Sequence, residues 1–302
     1  MRVISLGSGS SGNALLVQSG ETVVLVDAGF SARLLSGRLR SLGVSPTALS
    51  AILLTHEHGD HACGALSLAC QYCVPLVSDP RTIDAVMKQP AREARPAGWR
   101  PERVELPVGR SLRLGTLEIR SFVISHDAVA PCGFTLSTAA WRVGVMTDTG
   151  MVGAQAVEAL RGAHLLVIEA NHDRARLLDG PYPWYLKQRI LSPTGHLSNE
   201  QTGEALTQML DDGPRWLWLA HLSRTNNTPA LARAQVSELL RSRGLRHVKP
   251  APLPREIGPT WDTASLWGAS SPAAPDAREG APTAHDNAKV EVFATSDVSG
   301  AS

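Results

Sequence analysis

LLTHEHGDH, running from Leu53 to His61, places His56, His58, Asp60 and His61 within six positions directly behind an apolar run. Imidazole nitrogens and carboxylate oxygens are the donors taken by zinc, manganese and iron. The run AILLT (51–55) reads as a short buried strand, and a turn after it can aim His56, His58, Asp60 and His61 into one small volume. A solvated histidine-rich face has no reason to begin at the end of a buried strand. Three more candidates stand behind apolar runs: His126 after SFVIS, Asp148 after VGVMT and His221 after WLWLA. Strands presenting these residues at a common edge would assemble seven donors, a set for two cations sharing one carboxylate.

The stretch VISLGSGSSGNALLVQS (3–19) offers a rival reading, because Gly7, Gly9 and Gly12 satisfy G-x-G-x-x-G after a strand and Asp27 follows near the distance of a ribose-binding acid. A dinucleotide turn requires a helix after its third glycine, so that the helix N-terminus can hold the pyrophosphate. Here NALLVQS and TVVLVDAG flank Gly20-Glu21 and read as two strands of a hairpin. The glycine-serine loop is therefore expected to be a tight turn whose backbone N–H groups are available to line a pocket.

Helices are expected in SARLLSGRLRSLGVSP (31–46), where Gly43 stops the apolar spacing, in ACGALSLACQY (62–72), and over Met151–Arg161, Ser198–Leu210 and Pro229–Arg243. SLRLGTLEIRSFVIS, GFTLSTAAWRVGVMTD, HLLVIEA and RWLWLAHLS supply later strands. Two groups of strands interleaved with helices predict an α/β protein with two sheets face to face and helices outside.

The 302 residues are 43% hydrophobic, enough for a substantial core, and a net charge of +1 gives no whole-molecule attraction for a polyanion. No apolar h-region follows Met1 and no window reaches membrane-span length, which predicts a cytoplasmic protein without membrane contact. Four cysteines make no disulfide framework, and Cys70 and Cys73 read as buried helix thiols. From Ser265 the composition turns to Ala, Ser, Pro, Gly and Asp. The catalytic domain is thus expected over 1–264 and a disordered tail over 265–302, the latter with net charge −3, which leaves the remainder at +4.

Taken with Asp27, the pattern His56-x-His58-x-Asp60-His61, His126, Asp148, His221 resembles the metallo-β-lactamase-fold hydrolases over nearly everything before the tail. The resemblance implies a four-layer αββα sandwich. It implies that His56, His58 and His126 hold one ion, that Asp60, His61 and His221 hold the other, and that Asp148 bridges them. Asp27 would orient ligands from behind rather than bind metal. SLGSGSSGN, LVDAGFS, IEANHD, GPYPWYLKQRILSPTGHLSNEQTG and LAHLSRTNNTP are similar to the YycJ/WalJ group, cytoplasmic proteins described as DNA exonucleases. The aspartate at the bridging position, where secreted β-lactamases of the best-known class have cysteine, disfavours antibiotic hydrolysis.

Two cations roughly 3.5–4 Å apart supply hydroxide from a shared water near neutral pH and clamp phosphodiester oxygens. The expected cofactors are two divalent ions, zinc first, with manganese or iron also compatible. His196 and Asp60 are the expected catalytic residues, Asp60 as a ligand too. His196 lies in SPTGHLSNE, just before a helix with Ser198 as N-cap, and suits proton transfer to the leaving oxygen. It is also an alternative seventh ligand in place of His221, although His221 ends the more apolar strand. Glu169, in VIEANHD, is a candidate support for His196. Asn13, His172, Ser223, Asn226 and Asn227 are candidate substrate contacts, Arg174, Arg176, Lys187, Arg189 and Arg224 a candidate basic rim, and Trp184 and Tyr185 candidate stacking groups. The expected activity is a dinuclear phosphodiesterase acting on DNA, with exo or endo action open. The alternatives are a hydrolase of a cyclic phosphodiester, lactone or thioester on the same scaffold, and a non-catalytic binding module. Oligomeric state is open.

Overall fold

The glycine-serine loop joins β1 (Arg2–Gly7) to β2 (Ala14–Ser19), and Gly20-Glu21 turns β2 into β3 (Thr22–Val26). In this computed structural model, which describes residues 1–90, 96, 98–211, 213, 215–267 and 290–293, the three strands pair antiparallel, with Leu16 opposite Ile4 on one side and Leu25 on the other. β4 (Ala51–Leu53), β5 (Leu76–Ser78) and β6 (Arg103–Glu105) follow in parallel. Parallel neighbours need crossovers, here containing the helices Ala32–Ser41, Ala65–Tyr72 and Pro80–Lys88.

β7 (Ser111–Leu114), β8 (Leu117–Val123), β9 (Cys132–Ser137) and β10 (Arg142–Met146) form an antiparallel meander. β11 (Leu165–Glu169), β12 (Trp216–Ala220) and β13 (Pro250–Pro252) extend it in parallel through crossovers containing the helices Ala154–Leu160, Asn199–Met209 and Pro229–Ser242. β14 (Thr260–Asp262) returns to the first sheet beside β1, and β15 (Val290–Phe293) pairs antiparallel with β7. The sheet orders are β14-β1-β2-β3-β4-β5-β6 and β13-β12-β11-β10-β9-β8-β7-β15.

Period-two alternation explains the layering. Leu15, Val17, Val24 and Val26 point between the sheets and pack with Ile119, Phe134, Val143, Val167 and Trp218 of the other. Their alternates Leu16 and Leu25 point outward under Leu35, Leu39 and Leu68 of the covering helices. Ile168 and Leu219 of the second sheet likewise meet Leu160, Leu206 and Val236. Strands buried on both faces read as unbroken apolar runs, and the chain is the expected four-layer α/β sandwich.

The expected helices shorten to their caps. The first forms between Ser31, whose side chain accepts from Leu34 N–H, and Leu42; Ser198 caps the helix over Asn199–Met209 in a reciprocal capping box with Gln201. The helix placed over Met151–Arg161 starts only at Ala154, after Gly153. Cys70 is half-buried and Cys73 exposed, with φ 54° at the helix end, so the pair is not the buried one expected.

Most of 265–302, expected as a disordered tail, lies outside the described residues. Two pieces within it are regular: Ser265–Trp267 belong to the helix Thr263–Trp267, and β15 pairs along β7. An edge strand offers unpaired N–H and C=O groups, and the alternating VEVF segment takes them up, a match that composition alone does not reveal.

Candidate metal centre

The ligand candidates meet because the strands that carry them point the same way. β8 and β10, both antiparallel to β9, run in the same direction, as do β10, β11 and β12. Their C-terminal ends deliver His126, Asp148, Glu169 and His221 to one edge, where β3 delivers Asp27 and β4 leads to His56. Asp27, Asp148 and His221 take φ of 60°, 57° and 54°, a left-handed turn uncommon for side-chain-bearing residues. Such strain at three strand ends swings each side chain from the sheet into the cluster. The 56–61 turn itself is partly helical, with a short helix Gly59–Ala62 bearing Asp60 and His61.

Donor atoms of His56, His58 and His126 lie within 4.8 Å of one another, as do those of Asp60, His61, Asp148 and His221. A third group, Asp148, Glu169, His196 and His221, overlaps the second. The far side of most rings is tied. His61 Nδ1 donates to Asp27 Oδ2 at 2.7 Å, His126 Nδ1 to the Thr194 carbonyl at 3.1 Å, and His221 Nδ1 to Glu169 Oε1 at 3.1 Å. Bonds of this kind fix the tautomer and turn the Nε2 lone pair towards the cluster. Asp27 also accepts from Thr55 N–H and its hydroxyl, which joins β3 to the end of β4.

In the middle, the buried His56 Nε2 has no hydrogen-bond partner, and the buried Asp148 Oδ2 lies 2.9 Å from the buried His61 Nε2. Orphaned buried polar atoms are costly and rare. Four carboxylates (Asp27, Asp60, Asp148 and Glu169) crowd this edge, and two dications would offset their charge. The residues present fit a metal pair.

Residues 22–222 match the family described as the Beta-lactamase superfamily domain. The chain belongs to that superfamily. It is 36% identical over 241 residues to exodeoxyribonuclease YycJ of Bacillus anthracis, covering 79% of this chain and 89% of the relative. It is 38% identical over 227 residues to exodeoxyribonuclease WalJ of Streptococcus pneumoniae, covering 75% and 83%. Among solved structures it is similar to the metallo-beta-lactamase fold protein YhfI of Bacillus subtilis, with a TM-score of 0.64 at 20% identity over 86% of this chain and 98% of that one. The chain is a metal-dependent hydrolase of this superfamily, in the YycJ/WalJ group, and binds divalent metal.

The electrostatics divide the histidines. Burial, joined by the neighbouring imidazoles, pushes His56 well below the ordinary histidine range, and burial lowers His126, so both are neutral donors. Burial opposes charge on His221 as well, but Asp148, Asp60 and Glu169 outweigh it and push it up to about 10. His61 rises against the same penalty because of Asp148 and Asp27, and Asp148, despite its own burial, is held well down by His221 and His61. Cations binding here therefore displace protons.

His196, like His58, is partly open, with 21% of its side chain exposed. Its Nδ1 donates to Glu169 Oε1 at 2.7 Å, while Glu169 Oε2 accepts from Thr149 N–H and Leu197 N–H. One carboxylate thus holds His196 and His221 together. Burial opposes charge on both partners of the His196–Glu169 pair, yet Glu169 raises His196 and is itself pushed down to about 2. His196 lines a cleft with Ser10, Asp127, Asn171, Tyr182 and Ser223.

Several expected substrate contacts sit elsewhere. His172 is 0% and Asn226 1% exposed, so neither can touch a substrate. They are drawn inside by the main chain, where Asn199 N–H donates to the His172 carbonyl and Asp173 N–H to that of Asn226. Asn227 is buried too, bonding Ala170 O and Asn199. Asn13 is spent on structure: its amide nitrogen reaches the Gly9 and Asp60 carbonyls, and its oxygen accepts from Gly9 N–H and the Ser8 hydroxyl. Ser8 Oγ in turn accepts from His221 N–H at 2.8 Å, so this pair ties the glycine turn to two ligand candidates. Sequence reasoning missed Ser8, whose only signal was its place in the glycine loop. Ser223 does line the cleft. Of the expected basic rim, Lys187 is buried with its ammonium on the Leu178 carbonyl, and Arg189 is paired with Asp127. Trp184 and Tyr185 stand exposed at the start of the helix Trp184–Leu191, whose Leu186 and Ile190 also line the cleft.

His172 carries a stability prediction. Both ring nitrogens are buried without partners, and burial lowers the ring to about 4. The unfolded ring, near 6.5, takes up its proton first as pH falls, so folding loses about 3 kcal/mol between pH 6.5 and 4, none of it above that window. His172→Leu, unfolded by urea in EDTA beside the wild type, should show a correspondingly flatter stability profile over those pH values. Parallel profiles would refute the assignment.

Proposed function

We propose that this protein is a dinuclear metal-dependent phosphodiesterase that removes nucleotides from DNA ends. The observation that carries the reading is the division of labour at Glu169, which points His221 into the ligand cluster and His196 towards the open cleft. His56, His58 and His126 would hold one ion, Asp60, His61 and His221 the other, with Asp148 between them. When bound, two divalent cations, zinc being the best match to this donor set, supply a nucleophile from water at neutral pH and offset the charge of the phosphate.

The chain's own residues do the rest. Asp27 and Glu169 hold His61 and His221 as Nδ1–H tautomers. Glu169 also keeps a proton on His196, whose outer nitrogen faces the cleft and can donate it to the leaving oxygen, which needs a donor within hydrogen-bond reach. Tyr182 and the Gly195 turn close the cleft beside it. DNA as substrate is supported by the names of the YycJ and WalJ relatives. A cytoplasmic setting accords with the substrate and with the absence, among the described residues, of any helix long and apolar enough to cross a membrane.

The test is purified protein supplied with zinc or manganese and offered end-labelled linear DNA beside covalently closed circular DNA. Release of mononucleotides from the linear form alone is expected. Cutting of the circle would replace exo with endo action, and hydrolysis of bis-p-nitrophenyl phosphate without attack on either DNA would favour a small diester as substrate.

A further inference from the structure

The cleft beside His196 has one wall whose charge is already satisfied. On the helix Trp184–Leu191, Arg189 Nε lies 2.6 Å from Asp127 Oδ2, and the Lys187 ammonium is turned inward. Neither is free for a second anion. The Gly9–Gly12 turn, closed by Gly12 N–H on the Gly9 carbonyl and contributing Ser10 to the cleft, has different surroundings. A Cβ built on Gly9 would lie 3.4 Å from the Leu222 carbonyl oxygen and 3.6 Å from Arg255 Nε. The turn therefore runs between two segments: 221–224, which places Ser223 in the cleft and carries the exposed Arg224 as the next residue, and the connection from β13 to β14, which carries Arg255.

Main-chain bonds fasten Arg255 there. The Pro254 carbonyl accepts from Ser8 N–H at 2.9 Å, and the Arg255 carbonyl accepts from Arg38 Nη2 at 3.4 Å. Arg38 is itself occupied, stacked 4.3 Å over Phe30 and bonded to the Leu6 carbonyl, and it feels the charge of Glu256. The guanidiniums of Arg255 and Arg224, by contrast, are exposed and make no hydrogen bond or ion pair with another described residue. Two unpaired guanidiniums beside a side-chain-poor turn, next to a catalytic cleft, suit planar oxyanions that they can grip through paired N–H groups. With a net charge of only +1 on the whole chain, a polyanion must be held by such local charge.

We propose that Arg255 and Arg224, flanking the Gly9–Gly12 turn, hold two backbone phosphates of the DNA strand whose end occupies the cleft lined by Ser10, Ser223 and His196. This rests on the nuclease reading above and gives it a direction: the strand leaves the cleft over the glycine turn, not over the Trp184–Leu191 helix. Contacts to phosphate carry no sequence information, so removing them should weaken all sequences alike.

Anisotropy of a fluorescein-labelled phosphorothioate oligonucleotide, titrated with metal-loaded protein at several salt concentrations, tests this. Removing one phosphate-binding cation lowers the slope of log affinity against log salt by about one. The Arg224→Ala/Arg255→Ala double variant should therefore lose roughly tenfold less affinity than wild type between 50 and 200 mM salt. Arg224→Lys/Arg255→Lys, which keeps the charges, should retain the wild-type slope. Arg246→Ala, an exposed cation before the start of β13 and so at the opposite end of the sheet, should also retain it. An unchanged slope in the double alanine variant overturns the track, as does an equal fall in Arg246→Ala. Wild-type release of mononucleotides from end-labelled linear DNA separates the two levels: if it is present and the slopes do not move, the track alone fails; if it is absent, the nuclease reading fails.

Discussion

His196→Ala keeps its full metal content and loses roughly 10²–10⁴-fold in kcat on DNA, the range for removing a general acid. The expectation follows from where the ring's two nitrogens are. Nδ1 is held by Glu169, and no donor group that includes His196 excludes His221, whose Nε2 lies 3.2 Å from Asp60 Oδ2 inside the second cluster. His196 therefore has its outer nitrogen to spend on substrate. A proton donor must be protonated, so kcat should fall as pH rises through the His196 value, which Glu169 sets high against the burial penalty. Glu169→Gln removes that support and should move the basic limb of the profile to lower pH, a change that a purely structural role would not produce. Metal analysis beside the kinetics decides the assignment. Loss of an ion from His196→Ala, with none lost from His221→Ala, would exchange the roles of the two histidines.

Asp148→Ala should lose both ions, whereas His58→Ala should lose one. Asp148 lies 2.9 Å from His61 Nε2, 3.5 Å from His221 Nδ1 and 3.9 Å from His126 Nε2, so it faces both donor groups. Among the ligand candidates, His58 groups with His56 and His126, its Nδ1 lying 3.2 Å from His126 Nε2. Removing the aspartate also takes away the countercharge shared by His61 and His221, leaving each with its other carboxylates alone. Activity should drop to background in both variants, and the Asp148 variant should no longer gain thermal stability from added metal, since ligand binding stabilises only a fold that binds it. Elemental analysis after dialysis gives the stoichiometry. Retention of two ions by Asp148→Ala would remove the bridging role.

Much of the site is legible in the amino-acid sequence alone. Histidine and aspartate types after apolar runs identify every donor of the first two clusters, because the run of a buried strand and the chemistry of its end are both local. The same reasoning misplaces His172 and Asn226. Each follows a strand as His221 does, and a sequence does not say on which side of the main chain a loop residue falls. The burial of His172 depends on the pairing of its backbone with Ser198, and that of Asn226 on the bond from Asp173, contacts between residues far apart in the chain. Lys187 and Arg189 fail as a basic rim for a similar reason: their partners, the Leu178 carbonyl and Asp127, are set by how a helix docks.

Residue type and period, then, determined by themselves that this chain makes buried strands in two sets, covers them with helices and carries donors suited to divalent metal at strand ends. Strand order and direction, both settled by long-range pairing, decided that those ends share one edge. They also decided that Glu169 serves two histidines and that Arg255, far along the chain, comes to rest against Gly9. Side-chain chemistry is written residue by residue, whereas distance between residues exists only once the sheets have closed on their common core.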